Sequence, residues 1–123
     1  RDVANLIRSN CSRFGVTNVK VIEGNAPECL DSLHPPPHRV CLEGGKPIKT
    51  ILERAWKYLE PSGRIAATAG NLENLYALSE GFAQLQVRNI EVVQSAVNRL
   101  ETRGIHQTFA ALNPIFILSG EKL

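Results

Sequence analysis

Four short stretches of this 123-residue chain place chemically capable side chains beside glycine or proline. The first is Glu23-Gly24-Asn25-Ala26-Pro27. Gly24 and the small Ala26 let a flat ring approach the backbone, and the Asn25 amide offers both a donor and an acceptor to an aromatic base edge. A plain strand-to-helix turn is the competing reading, because Gly-Asn is common there. The second is Glu43-Gly44-Gly45-Lys46. Its glycines permit close approach of a ligand, Lys46 can meet an anion, and Glu43 can act as acid or base, with a surface turn as the alternative. The pattern GxxxxGK[ST] is absent, so this is not a phosphate loop. The third is Thr68-Ala69-Gly70-Asn71-Leu72-Glu73-Asn74, where Asn71 and Glu73 suit a helix N-terminus whether or not a ligand sits there. The fourth is Asn113-Pro114. Proline holds Asn113 extended, which either aims an amide at a substrate or forms a structural kink.

Other polar groups carry less. His34 and His38 flank Pro35-Pro36-Pro37, whose polyproline geometry prevents the pairing that four-residue spacing allows on a helix, so no metal site is expected. His106 reads as an exposed loop residue. No serine lies in a GxSxG elbow. Cys41 sits inside a strand pattern and reads as a small buried hydrophobe.

The elements that must position these groups follow from periodicity. Asp2 caps a helix whose stripe is Val3, Leu6, Ile7, Cys11 and Phe14, and Gly15 ends it. Asn18 to Glu23 alternates as a strand. Pro27 opens a short helix to about Leu33. Arg39 to Glu43 is a strand, and Pro47 opens a helix with Ile48, Ile51, Leu52, Ala55, Trp56 and Leu59 on its apolar face. Glu60 to Gly63 is a tight turn. Arg64 to Ala69 is apolar enough to be buried on both faces. The next helix runs from Leu72 to about Gln86, with Leu72, Leu75, Tyr76, Leu78, Phe82 and Leu85 toward the core. Ile90 to Val97 is a strand, Asn98 to Gly104 a strand extension or loop, Thr108 to Leu112 extended, and Pro114 to Gly120 the last strand. Alternating strands and helices give an α/β fold with a mostly parallel sheet and a C-terminal antiparallel hairpin. Ligands in such sheets bind at the carboxyl ends of the strands.

Composition narrows the function classes. Apolar residues make up 43% and charged residues 21%, as in globular domains, which excludes intrinsic disorder. The 14 Lys and Arg against 12 Asp and Glu give a balance of +2, too weak and too dispersed for a nucleic-acid footprint. No apolar run is long enough to span a membrane. Three widely spaced cysteines fit a reduced, cytoplasmic setting better than a disulfide framework.

The motifs in their order resemble a known family. Leu6-Ile7-Arg8, Asn10-Cys11, Arg13-Phe14-Gly15, Glu23 to Pro27, Gly44-Gly45, Pro61-Ser62-Gly63-Arg64, Leu72-Glu73-Asn74-Leu75 and Asn113-Pro114-Ile115-Phe116-Ile117 together are similar to the precorrin-6Y C5,15-methyltransferase (decarboxylating) family of cobalamin biosynthesis. The resemblance implies a Rossmann-like class I methyltransferase domain over residues 1–123. It further implies S-adenosylmethionine as cofactor, a precorrin as substrate, loss of carbon dioxide from an acetate side chain, and a homo-oligomer. By the same resemblance Gly24, Asn25 and Ala26 hold the adenine. The family usually has Asp at Asn25, and the amide can still accept from the adenine amino group. Gly44 and Gly45 map to the next glycine-rich stretch, where Glu43 and Lys46 replace smaller residues.

Asn74 and Asn113 are candidate substrate contacts. Lys46, Arg99 and His106, with Glu43, are the candidates to meet substrate carboxylates or assist decarboxylation. The family's first two strands and its GxGxG loop have no counterpart in this sequence. The expectation is therefore that the chain alone is inactive and binds S-adenosylmethionine weakly. Either the strand at Val19 pairs directly with the strand at Val40, or copies associate across the free edge.

Overall fold

The computed structural model describes residues 2–44 and 47–123. They divide into two compact units, residues 1–32 and 33–123.

The first unit opens with α1 (Asp2–Arg13). Gly15 follows at φ 69°, and the Val16 N–H donates to the Cys11 carbonyl at 2.8 Å, closing the helix with the left-handed cap expected of it. Its apolar stripe is less buried than the spacing predicts. Ala4 is the buried residue of α1, while Val3, Leu6 and Phe14 are 59–75% exposed. The expected strand at 18–23 does not form. Val19 and Ile22 are exposed, and among the described residues no neighbour completes a ladder for this segment. Alternation sets which way side chains point, and only a partner strand turns an extended segment into a sheet. The expected pairing of this segment with the strand at Val40 is accordingly not made. After Pro27 the expected short helix is a 3-10 turn, Glu28–Ser32.

The second unit is an α/β sandwich. Its strands are β1 (Arg39–Glu43), β2 (Arg64–Ala69), β3 (Arg88–Ser95), β4 (Asn98–Arg103), β5 (His106–Ala111) and β6 (Ile115–Glu121), and its helices are α2 (Ile48–Tyr58) and α3 (Leu72–Gln84). The main sheet has the order β1-β2-β6-β3. β1 and β2 are parallel, and β6 runs antiparallel to both β2 and β3, so β1, β2 and β3 share one direction. The C-terminal antiparallel pairing was expected at the sheet's edge, but β6 lies inside the sheet and β3 takes the edge. β4 and β5 form a separate two-stranded ribbon between β3 and β6.

α2 and α3 cover one face of the sheet. Leu52, Leu59, Ile65, Leu78, Phe82 and Leu118 are essentially fully buried between the layers. Gly81 lets the helices meet closely, because a Cβ there would stand 2.6 Å from Leu52 Cδ2. β2 buries Ile65, Ala67 and Ala69 under these helices, while Arg64, Ala66 and Thr68 on its second face are half-buried. Burial on both faces, expected from composition, is thus complete on one side only. On α3 the core side is Leu78, Gly81 and Phe82. Leu72 and Tyr76, expected there, are 76% and 68% exposed.

Side-chain caps fix the helix ends. Lys122 Nζ donates to the carbonyls of Trp56 at 2.6 Å and Leu59 at 2.8 Å, placing a cation at the C-terminus of α2 and 5.5 Å from the Trp56 ring centre. Asn71 accepts from the Asn74 N–H at 2.8 Å and caps α3. Asn71→Ala is expected to cost about 1 kcal/mol in urea-unfolding stability, and Asn71→Asp to keep nearly all of it.

Candidate functional site

Register shows which predicted residues share an edge. β1 ends at Glu43 beside Thr68, and β2 ends at Ala69 opposite Phe116 of β6. β3 ends at Ser95 opposite Ile115. The carboxyl ends of β1, β2 and β3 therefore lie at one end of the sheet, together with the start of β6. Glu43 and Gly44, Gly70 and Asn71, the first turn of α3 with Asn74, and Asn113-Pro114 all border this end.

The local geometry leaves room for a ligand. Gly44 has φ 68°, and a Cβ there or at Gly70 would meet nothing within 4 Å, so both glycines present open backbone. Asn74 is half-buried, with its N–H committed to the α3 cap. Asn113 is exposed in the link from β5 to β6. Gly45 and Lys46 lie outside the described residues.

Thr68 opens the third of the stretches singled out from the sequence, with no role of its own assigned there. It is half-buried on the second face of the sheet, with the backbone position of Glu43 on one side and Ile117 on the other. Its signal in the sequence was a lone hydroxyl near the end of an otherwise Ala- and Ile-rich strand.

The ribbon separates two candidates that the sequence grouped. Arg99 pairs with Ala110 near the base, whereas His106 pairs with Arg103 at the far end. Four residues of strand put roughly 13 Å between Arg99 and Arg103. Arg99, Arg103 and His106 project from one face, with Glu101 between the arginines and 3.3 Å from Arg103. His106 is thus remote from the sheet edge within its own hairpin.

The predicted adenine turn belongs to the first unit. The Asn25 carbonyl accepts from the Cys29 N–H at 3.0 Å, its side chain lies in an exposed residue, and Ala26 is half-buried. A Cβ on Gly24 would stand 2.9 Å from Cys29 Cβ, so the turn is closely packed at glycine. An exposed amide beside a small half-buried residue fits the edge of a purine. Val3, Ala4, Ile7 and residues 21–24 line a recess of about 220 Å³ next to it, and Arg8 lies 3.4 Å from Glu23.

Away from these edges, Lys49 Nζ bonds Glu80 at 3.1 Å between α2 and α3. The hydrogen bond from Lys49, then that from Tyr76, holds the Glu80 carboxyl below its ordinary range, and the bond to Glu80 raises the Tyr76 phenol. For Glu80 the native value is depressed, so its contribution to stability is present above the ordinary carboxylate range and lost as pH falls through the native value. Among the described residues no group of three or more His, Cys, Asp or Glu is arranged to hold a metal.

Comparisons with known proteins place this geometry. A 32% identical protein of Saccharolobus solfataricus, named "Probable cobalt-precorrin-6B C(15)-methyltransferase (decarboxylating)", aligns over 96% of this chain and 60% of its own length. The crystal structure of precorrin-6Y C5,15-methyltransferase from Geobacter metallireducens superposes with a TM-score of 0.81 at 30% identity, covering 94% of this chain and 61% of that one. The structure titled precorrin 8W decarboxylase, from Methanobacterium thermoautotrophicum, superposes with a TM-score of 0.83 at 24% identity over 97% of this chain and 64% of that one, a likeness of fold. The chain spans 58–63% of the length of the first curated relatives it matches. The sheet is that of a class I methyltransferase. The sequence profile of the precorrin methyltransferase domain matches residues 1–122, and the chain belongs to that family.

Proposed function

We propose that this chain is part of an S-adenosylmethionine-dependent methyltransferase that methylates a precorrin in cobalamin biosynthesis and decarboxylates an acetate side chain. The observation that carries this reading is the family match across residues 1–122. Both compact units then belong to one methyltransferase domain, residues 1–123.

S-Adenosylmethionine, when bound, supplies an electrophilic methyl group. Gly24, Asn25 and Ala26 would hold the adenine, Asn25 by its amide, and Gly44 and Gly45 would let the cofactor approach the carboxyl edge. Asn74 and Asn113 border that edge and would orient the macrocycle. Lys46 and Arg99 would meet substrate carboxylates, with Glu43 as acid or base, and His106 only if the ribbon tip reaches the substrate. Methyl transfer from a sulfonium depends on alignment more than on acid-base help, so orientation carries most of the rate. A cytoplasmic setting is in keeping with three free cysteines and with the lack, among the described residues, of a helix long and apolar enough to cross a membrane.

Calorimetry with S-adenosylhomocysteine tests this. The chain alone is expected to bind weakly. A chimera carrying the part of the S. solfataricus relative that this chain does not span is expected to bind at roughly micromolar strength, and Asn25→Ala in it to weaken binding about 3–10-fold. A chimera that folds and does not bind, or binds with no regard to Asn25, overturns the assignment of these residues.

We further propose that copies of the chain associate, and that the ribbon joins them. A two-stranded ribbon is marginal alone. In this one Leu100 and Phe109 sit opposite each other at 55% and 77% exposure, and Ile105 at the tip is 93% exposed. Light scattering is expected to give a mass above 13.5 kDa for the chain, and Phe109→Glu to return it to that monomer value with the helical content unchanged. A monomeric parent chain, or an unchanged assembly in Phe109→Glu, excludes the ribbon as the joint.

A further inference from the structure

The second face of the sheet, away from α2 and α3, carries charge in a row. Register aligns Arg39, Arg64, Glu121 and Arg88, one from each of β1, β2, β6 and β3. Paired positions share a face, so three guanidinium groups stand beside one carboxylate. Like charges directly opposite each other destabilise a sheet. Glu121 is bonded to Arg64. Arg39 donates from Nη1 to the His38 carbonyl at 2.8 Å, a contact that leaves its charge uncompensated.

The next row on the same face is Cys41, Ala66 and Ser119, three small side chains in register. Arg39, Arg64, Cys41, Ala66 and Ser119 line a recess of about 340 Å³ with no carboxylate in its wall. Its volume falls at the small end of ligand cavities, roughly 300–1,000 Å³. Cys41 is exposed, and Ala66 and Ser119 are half-buried.

We infer that this recess, built from Arg39, Arg64 and Ser119, is a binding site for a small amphipathic anion, a carboxylate or phosphate monoester with a short apolar body. Arg39 presents a planar donor fork suited to a carboxylate or phosphate head, and Arg64, bonded to Glu121, adds its remaining donors. Cys41 and Ala66 offer an apolar floor to the body, and the Ser119 hydroxyl adds a donor or acceptor along it. Glu91 stands across Ser119 on β3, and Glu43 lies two positions beyond Cys41 on β1. These carboxylates lie beyond the wall of the recess on the same face and disfavour a ligand with a second anionic group reaching toward them. The site lies toward the amino ends of β1 and β2, so its occupancy does not compete with a ligand at the carboxyl edge.

Amide NMR titrations of the 123-residue chain test this, with hexanoate, hexyl phosphate, hexanol and inorganic phosphate as probes. Hexanoate, hexyl phosphate or both are expected to shift the Cys41, Ala66 and Ser119 amides saturably. Hexanol and inorganic phosphate, each lacking half of the required chemistry, are expected to bind more weakly, and the tighter of the two amphipathic anions identifies the preferred head. Arg39→Gln is expected to weaken binding roughly tenfold with the far-ultraviolet spectrum unchanged. Ser119→Leu, which fills the recess and keeps both arginines, is expected to abolish it. The inference falls if neither amphipathic anion shifts these amides at roughly 10 mM, or if Arg39→Gln binds as tightly as the parent.

Discussion

Replacing Phe82 by alanine is expected to destabilise the second unit by about 3–5 kcal/mol, a large part of the roughly 5–15 kcal/mol that holds a domain together. Phe82 is 1% exposed and belongs to the cluster that includes Leu52, Leu59, Ile65, Leu78, Val87 and Leu118, drawn from both helices and two central strands. Its ring joins the layers, and truncation removes apolar surface from the core while leaving a cavity that the sheet cannot close by shifting one element. Urea unfolding followed by far-ultraviolet circular dichroism measures the loss. A cost below about 1.5 kcal/mol would mean that the helices collapse onto the sheet and that the layers are not rigidly spaced.

Gly120→Ala carries the second large effect, by overpacking. A Cβ on Gly120 would stand 2.2 Å from Val87 Cγ1 and 3.0 Å from the Arg88 carbonyl oxygen. Val87 is 7% exposed and leads directly into β3, so relief requires moving a buried branched side chain or prising the start of β3 from β6. The expected cost is about 2–3 kcal/mol. Val87→Ala in the same chain removes the obstructing methyl groups, so the double variant is expected to be more stable than the sum of the two single losses predicts, by at least about 1 kcal/mol. Strict additivity in urea midpoints would place the strain elsewhere.

The parts of the fold legible in the sequence are those where a local signal and burial agree. Asn71 before Leu72 and Gly15 after α1 each name an element's end without knowledge of any neighbour. Where the outcome depends on a partner, the sequence is silent. Val19, Val21 and Ile22 alternate as a strand does, yet no ladder forms beside them. Asn98 to Arg103 looked like loop or extension because its side chains face solvent and leave no burial pattern, while its pairing with His106 to Ala111 is set by the turn at Gly104, at φ 62°. Leu72 and Tyr76 kept helical spacing with the core residues but fall outside the stripe that packs.

The candidate site divides in the same way. Glu43, Asn71, Asn74 and Asn113 were readable as residues at strand ends or helix starts, and the register gathers them at one edge. The remoteness of His106 follows from its position along the ribbon, which spacing alone does not reveal. The Arg39, Arg64, Glu121 and Arg88 row depends on register among four strands scattered between residues 39 and 121.

The position of β6 bears on how the sheet is made during synthesis. Among the described residues it is the last strand in sequence, yet it lies between β2 and β3 and is the sole sheet neighbour of β3. While the ribosome is still adding residues 115–121, β3 has nothing to pair with and β2 keeps a bare inner edge. The layers over Leu118 cannot close until that final strand slides into a slot already flanked on both sides. Folding of this unit is therefore dominated by contacts distant in sequence and is committed only late, which favours slow acquisition of structure and lengthens exposure of two unpaired edges to other nascent chains.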